Sequence, residues 1–166
     1  MSQPDILTVV ACRMLVRLIV AEGVDRPVML DLFYDSTDPY AVSLTFHMHT
    51  DDSVRWVLGR DLLLNGQQEL TGVGDVQVWP SRSSPAGKVC VALRPCAERE
   101  AVVVTASARA LNAFLRRTLT VVPAGTEERH LDVDGTVRRL LGDPGEPHRQ
   151  VWPRDGDGPG AEGESP

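Results

Sequence analysis

Residues 47–49 read His-Met-His, and Cys12, Cys90 and Cys96 are the thiols of the chain. Two imidazoles at i and i+2 on a strand leave the same face and can grip one ion, but a zinc-type site needs at least a third ligand. Neither Asp51 nor His130 is placed by spacing alone, so the plainer reading is a solvent-facing polar strand surface, and no metal is assigned. A cysteine nucleophile needs a histidine base and an activating environment. Cys90 lies instead in the alternating stretch Val89–Leu93 beside small Ala92, which reads as core. Gly72 and Gly74 superficially suggest a phosphate loop. The lysine, third glycine and following helix of such a loop are missing, so turn or bulge glycines fit better. The acid pairs Asp51-Asp52 and Glu127-Glu128 and the arginine pairs Arg116-Arg117 and Arg138-Arg139 read as solvated surface. Neither a nucleophile elbow nor a zinc-protease motif occurs, and no catalytic or cofactor-binding residue is assigned.

Composition points the same way. The 166 residues carry a formal charge of −6 and are 42% hydrophobic and 24% charged, which suits a soluble globular chain of one domain. An acidic chain with 5% aromatics is poorly made for single-stranded nucleic acid, which needs stacking platforms and basic charge. No run of about 18 apolar residues suggests a membrane span. The N-terminus lacks the basic region of a secretory signal. With an odd number of widely spaced cysteines and no export signal, reduced, buried thiols in the cytoplasm are expected. Of the 17 cationic residues only Lys88 is lysine, a bias that follows from a G+C-rich genome rather than from function. A binding or scaffolding protein is favoured over an enzyme.

The elements that must position these residues are mostly strands. From Tyr40 to Thr50, Val42, Leu44, Phe46 and Met48 alternate with Ser43, Thr45, His47 and His49, the period of a half-buried strand. Val54, Trp56 and Leu58 continue it after a turn at Asp51–Ser53. Leu7–Ala21 and Val28–Tyr34 are apolar and β-branched, separated by a turn-rich Glu22–Pro27. Thr71–Trp79, Gly87–Leu93 and Arg99–Thr105 add further candidates. Six to eight strands are expected, mostly antiparallel because the connections are short. Asp61 is a candidate cap for a short turn through Leu64, and Pro80 is expected to end the strand before it. Thr105 or Ser107 caps a helix running to about Leu119, with Leu111, Phe114, Leu115 and Thr118 on one face. Another helix is expected over Val133–Leu141. Residues 143–166 hold five glycines, five prolines and six acids against two arginines. They form an expected disordered acidic tail behind a domain over 1–142, with Trp152 its one aromatic. The class is α+β, antiparallel β-sheets with packed helices.

Five strings stand in order along the chain: Tyr34-Asp35-Ser36-Thr37-Asp38-Pro39-Tyr40-Ala41-Val42; Trp56-Val57-Leu58-Gly59-Arg60-Asp61-Leu62-Leu63; Gly72 through Trp79-Pro80-Ser81-Arg82; Ala108-Arg109-Ala110-Leu111 with Phe114-Leu115-Arg116-Arg117-Thr118; and Val122-Pro123-Ala124-Gly125-Thr126-Glu127. Together they resemble the SsgA-like proteins, actinobacterial regulators of sporulation-specific cell division. The arginine bias agrees with such a source. The resemblance implies a fold like the Whirly and mitochondrial guide-RNA-binding proteins, assembly as a homo-oligomer (a trimer), and no enzymatic activity or cofactor. It further implies partners among the division proteins, such as the tubulin-like FtsZ or other SsgA-like proteins, and work at division septa without membrane insertion. The Whirly-like fold keeps single-stranded nucleic-acid binding as the alternative. The histidine pair, Cys12, Cys96 and the long acidic tail depart from the family pattern.

Much of this signature has a structural reading. Pro39 fixes its own φ and holds Asp38 extended, which sets the turn entering the third strand. Among its residues, Arg60, Trp79 and Arg82 are the candidates for contact with a protein partner.

Overall fold

The computed structural model describes residues 8–49, 51–84 and 86–131, together with 133 and 137. The chain divides into two units, Met1–Asp132 and Val133–Pro166. The helix expected over Val133–Leu141 is described only at Val133 and Val137, both helical, and the acidic segment 143–166 lies outside the described residues.

The first unit is built on one continuous sheet, not the several that the class suggested. Its strands are β1 (Val9–Ala21), β2 (Val24–Asp35), β3 (Ala41–His47), β4 (Ser53–Gly59), β5 (Val76–Ser81), β6 (Lys88–Leu93) and β7 (Val102–Ser107). They are ordered β4-β3-β2-β1-β7-β6-β5, and every neighbouring pair is antiparallel. Among its described residues, α1 (Arg60–Asn65) follows β4, and α2 (Ala108–Val121) and a 3-10 turn at Glu127–His130 follow β7. Ser107 caps α2, its Oγ accepting from the Ala110 amide at 3.3 Å. The helix buries Leu111, Phe114, Leu115 and Thr118, the face expected from its i, i+3, i+4, i+7 spacing.

The strands alternate cleanly toward α2. Val10, Met14 and Val16 of β1, Leu30, Leu32 and Tyr34 of β2, Val42, Leu44 and Phe46 of β3, and Leu58 of β4 all fall within 8% exposure. With Val78, Val89, Val91, Val104 and Ala106 from the other half of the sheet they form a single core. Burying a side chain of this size contributes roughly 1.5–3 kcal/mol each, so the alternation fixes which face looks inward.

Three local expectations give way. The turn between β1 and β2 is only Glu22-Gly23, because Gly23 takes φ +73° and closes a two-residue hairpin; Val24 already pairs with Ala21. Pro27, expected in a loop, therefore sits in β2 opposite Arg17. Pro80 does not end β5, which continues to Ser81. Val78 directs both its amide and its carbonyl to Thr71, away from β6. Pro80, two residues on, presents its missing N–H on that same outer side, where no ladder bond is lost. Asp61 caps nothing: Gly59 occupies the N-cap position of α1, and Asp61 lies inside the first turn, where its charge suits the helix dipole.

Candidate functional site

The strings that carry the resemblance converge on one buried arginine. Arg60 opens α1 and is 1% exposed. Its Nη1 donates to Tyr34 Oη (3.1 Å) and to the carbonyls of Thr118 (3.3 Å) and Val122 (2.7 Å), while Nη2 donates to Glu127 Oε1 at 2.6 Å. Its guanidinium carbon stands 5.3 Å from the centre of the Tyr34 ring. Tyr34 in turn donates to the Pro39 carbonyl at 3.1 Å, and the Arg60 amide donates to Tyr40 O at 2.7 Å. One side chain thus holds β2, the Asp38-Pro39 turn, the C-terminus of α2 and the loop carrying Glu127. The carbonyls at the end of a helix have no partner within it, and a cation there meets both that need and the negative end of the dipole.

The electrostatics follow. Glu127 titrates below the ordinary glutamate range, first because it accepts from its own backbone amide and then because Arg60 donates to it. Burial pushes the Tyr34 phenol up. The expectation that Arg60 contacts a partner is corrected by this geometry: with four donor contacts turned inward, it has no surface to offer. Trp79 and Arg82 are not brought to it. Trp79 is half-buried on the opposite face of the sheet, in register with Cys90, and Arg82 is exposed just beyond the end of β5.

The residues singled out for chemistry also find their places. His47 Nε2 lies 2.8 Å from Asp31 Oδ2, and Arg13 grips the same carboxylate through Nε and Nη2 at 2.6 and 2.8 Å. Asp31 is held well below the usual carboxylate range, chiefly by the Arg13 hydrogen bond. His49 lies past the end of β3, so the i, i+2 geometry of a chelating pair is not formed. Of the thiols, only Cys90 is buried, and that burial pushes it up; Cys12 is partly exposed and Cys96 exposed, contrary to the expectation that all three are core. Gly72, at φ +104°, would drive a Cβ into the Val76 carbonyl, so a close backbone turn, not a phosphate cradle, requires it.

What the sequence reading missed is the outer face of β1–β4. Register places three rows across it. Arg13, Asp31, Thr45 and Arg55 form a polar row. On one side run Ala11, Phe33, Ser43 and Val57, and on the other Leu15, Met29, His47 and Ser53. Leu15 is 61% exposed, Val57 57%, Phe33 43% and Met29 37%. A signal for this was present. An antiparallel strand with one wet face should alternate apolar with polar, and Val28–Tyr34 carries Met29 and Phe33 in the phase that should be polar. Large exposed apolar side chains therefore flank the polar row on both sides.

The first unit is thus one antiparallel sheet with a buried ionic strut on its inner side and exposed apolar side chains flanking a polar row on the outer face of β1–β4. No group of three or more metal-ligating side chains occurs among the described residues. The chain matches the family model "Streptomyces sporulation and cell division protein, SsgA" over residues 28–127. It is 48% identical over 134 residues to the sporulation-specific cell division protein SsgB of Streptomyces coelicolor, covering 81% of this chain and 96% of that one. It is 41% identical to the SsgB of Salinispora tropica, over 75% of this chain and 87% of the relative. A solved structure tied to SsgB mutations that correlate to longitudinal cell division during sporulation of S. coelicolor superposes with TM-score 0.72 at 46% identity, over 78% of this chain and all of the other. The SsgA-like sporulation-specific cell division protein of Thermobifida fusca superposes with TM-score 0.74 at 33% identity, over 84% of this chain and all of that one. The chain belongs to the SsgA family of sporulation and cell division proteins. No helix among the described residues is long and apolar enough to cross a membrane.

Proposed function

We propose that this protein is a non-enzymatic regulator of sporulation-specific cell division. On this reading it assembles with copies of itself as a trimer on a Whirly-like scaffold and works in the cytoplasm at division septa. There it helps position or recruit the division machinery through direct contacts with FtsZ or other SsgA-like proteins. The observation that carries the reading is the outer face of β1–β4, where Leu15, Met29, Phe33 and Val57 stand exposed around the Arg13–Asp31 pair. Apolar anchors beside a fixed charge pair are what a protein interface uses, with the polar row giving register and the apolar rows the affinity. Trp79 and Arg82, with Gln77, line a shallow groove at the β5 edge and are assigned as a secondary contact.

Co-sedimentation of the purified protein with FtsZ filaments tests this, alongside a version ending at Gly142 and a Phe33→Glu variant. Retention of the full chain and loss with Phe33→Glu supports recruitment through this face. Absence of all three from the filament pellet removes direct recruitment. Retention on single-stranded DNA that falls steeply between low and moderate salt would replace this function with nucleic-acid binding.

A further inference from the structure

The inner face of the sheet extends beyond the helix that covers it. α2 and the Arg60 strut seal one end of the curved sheet. At the other end the strands leave a cavity of about 330 Å³. It is walled chiefly by Leu18, Phe46, Trp56, Leu93 and Val104, with Arg99 among its lining residues. That volume lies at the lower end of the roughly 300–1,000 Å³ of small-molecule sites, which are mostly apolar with one or a few polar groups that orient the ligand. Met48, Val54 and Val102, also lining residues, keep 37%, 47% and 38% of their surface exposed, so the site opens to solvent.

The lining states the ligand's chemistry. Apart from Arg99 and the indole N–H of Trp56 the lining side chains are apolar, too few polar groups to satisfy the several hydroxyls of a sugar or the full edge of a base. Arg99 is exposed and makes no ion pair among the described residues, and the neighbouring Glu98 and Glu100 do not line the cavity. We propose that this cavity binds an unbranched medium-chain carboxylate, its hydrocarbon chain lying between Trp56, Phe46 and Val104 and its anionic head paired with Arg99. The hydrophobic effect supplies the affinity and the arginine selects the sign of the head group. This site is distinct from the outer face, and the fate of the FtsZ reading does not touch it.

Calorimetric titration of the full-length protein with decanoate, kept below its micellar concentration, is the direct test. Decyltrimethylammonium, with the same chain and the opposite charge, is titrated in parallel. Saturable binding of one decanoate per chain, at least several-fold tighter than the cation, is expected. In a Trp79→Phe/Trp152→Phe background the same titration should shift the emission of Trp56. Arg99→Ala should weaken decanoate by about fivefold, in line with an exposed charge pair, and erase the preference over the cation. Val102→Trp, at an exposed position, should plug the mouth and abolish binding while the melting temperature holds. Absence of saturable binding, equal binding of both amphiphiles, or undiminished binding in folded Val102→Trp would each overturn the proposal.

Discussion

The two ends of the curved sheet solve opposite problems with similar strands. At the sealed end, Tyr34, Val42, Leu58 and Val78 are closed in by α2 and α1, and the polar groups that burial would orphan are collected by Arg60. At the open end the same strands carry Leu18, Phe46, Trp56 and Val104, but none of the helices among the described residues lines that space, which stays a cavity. The sealed end holds most of the residues that make the family recognisable; the open end holds almost none. The difference teaches that a distinctive string can mark where a fold is tied together rather than where it meets a partner. A buried ion pair is weakly stabilising as a whole but costly to break, because removing one member strands the other in a poorly solvated place.

The sharpest way to break that comparison is to cut the strut. Arg60→Leu should destabilise the protein by about 3–5 kcal/mol, read from chemical denaturation, since Glu127 and the last carbonyls of α2 lose their partner. Val54→Ser at the open end, already 47% exposed, should stay within about 0.5 kcal/mol of the parent. Similar losses at both positions would mean that the two ends are not energetically distinct. A gentler cut, Tyr34→Phe, removes one acceptor from Arg60 and one donor to Pro39, and should cost about 0.5–1.5 kcal/mol.

Acid sharpens it further. The Glu127 carboxyl is held below its ordinary value in the folded protein, so its contribution is fully present above the ordinary glutamate range and is lost as pH falls through the depressed value. Stability should therefore decline on the acid side of that range, and Glu127→Gln should flatten the decline. An unchanged acid limb in the variant would show that the strut does not depend on the charge. Asp31, held low by Arg13, contributes in the same direction, so the comparison must be made in a parent that keeps it.

Much of this is legible in the sequence. The 2-residue period of Val42–Met48 and the 3.6-residue period of α2 placed their elements because hydrophobic periodicity needs no tertiary information. The helix cap at Ser107 and the family strings were equally local. Arg60 was legible as a marked residue but not as a buried one. A lone arginine reads as surface until Tyr34, Thr118, Val122 and Glu127, as far as 67 residues away, are known to meet it. Pro80 misled because its cost depends on which side of β5 its nitrogen faces, and that is set by the pairing with Thr71 rather than by proline itself. The outer face was missed because exposed Phe33 and Met29 sit within a run that looks like core from end to end.

On the outer face the expected effect on stability is small and the effect on function large. Leu15→Glu and Phe33→Glu replace side chains that are 61% and 43% exposed, so each should leave the melting curve within about 0.5 kcal/mol of the parent. Each should also weaken self-assembly or partner capture, read by analytical ultracentrifugation and filament co-sedimentation. A variant that unfolds instead would place that side chain in the core; one that binds normally would move the interface elsewhere.

The smallest perturbation uses the thiols already present. Cys90 lies in β6 between Thr105 and Trp79, buried and pushed up, so at neutral pH it holds its proton more firmly than a free thiol; Cys96 is exposed in the loop that follows. Thiolate is the reactive species, so maleimide at neutral pH should modify Cys96 first and Cys90 only when the sheet opens. The sign also sets a pH limit: because the folded state keeps the Cys90 proton, this group's contribution to stability falls as pH rises past the ordinary thiol range. The rate at Cys90 then reports how tightly the sealed end controls the rest of the sheet. If the strut holds the whole unit, Arg60→Leu should speed Cys90 labelling in step with its loss of stability, although the two residues share no contact. If Cys90 labels at the parent rate in that variant, the sheet opens in pieces, and the strut secures only the end that it touches.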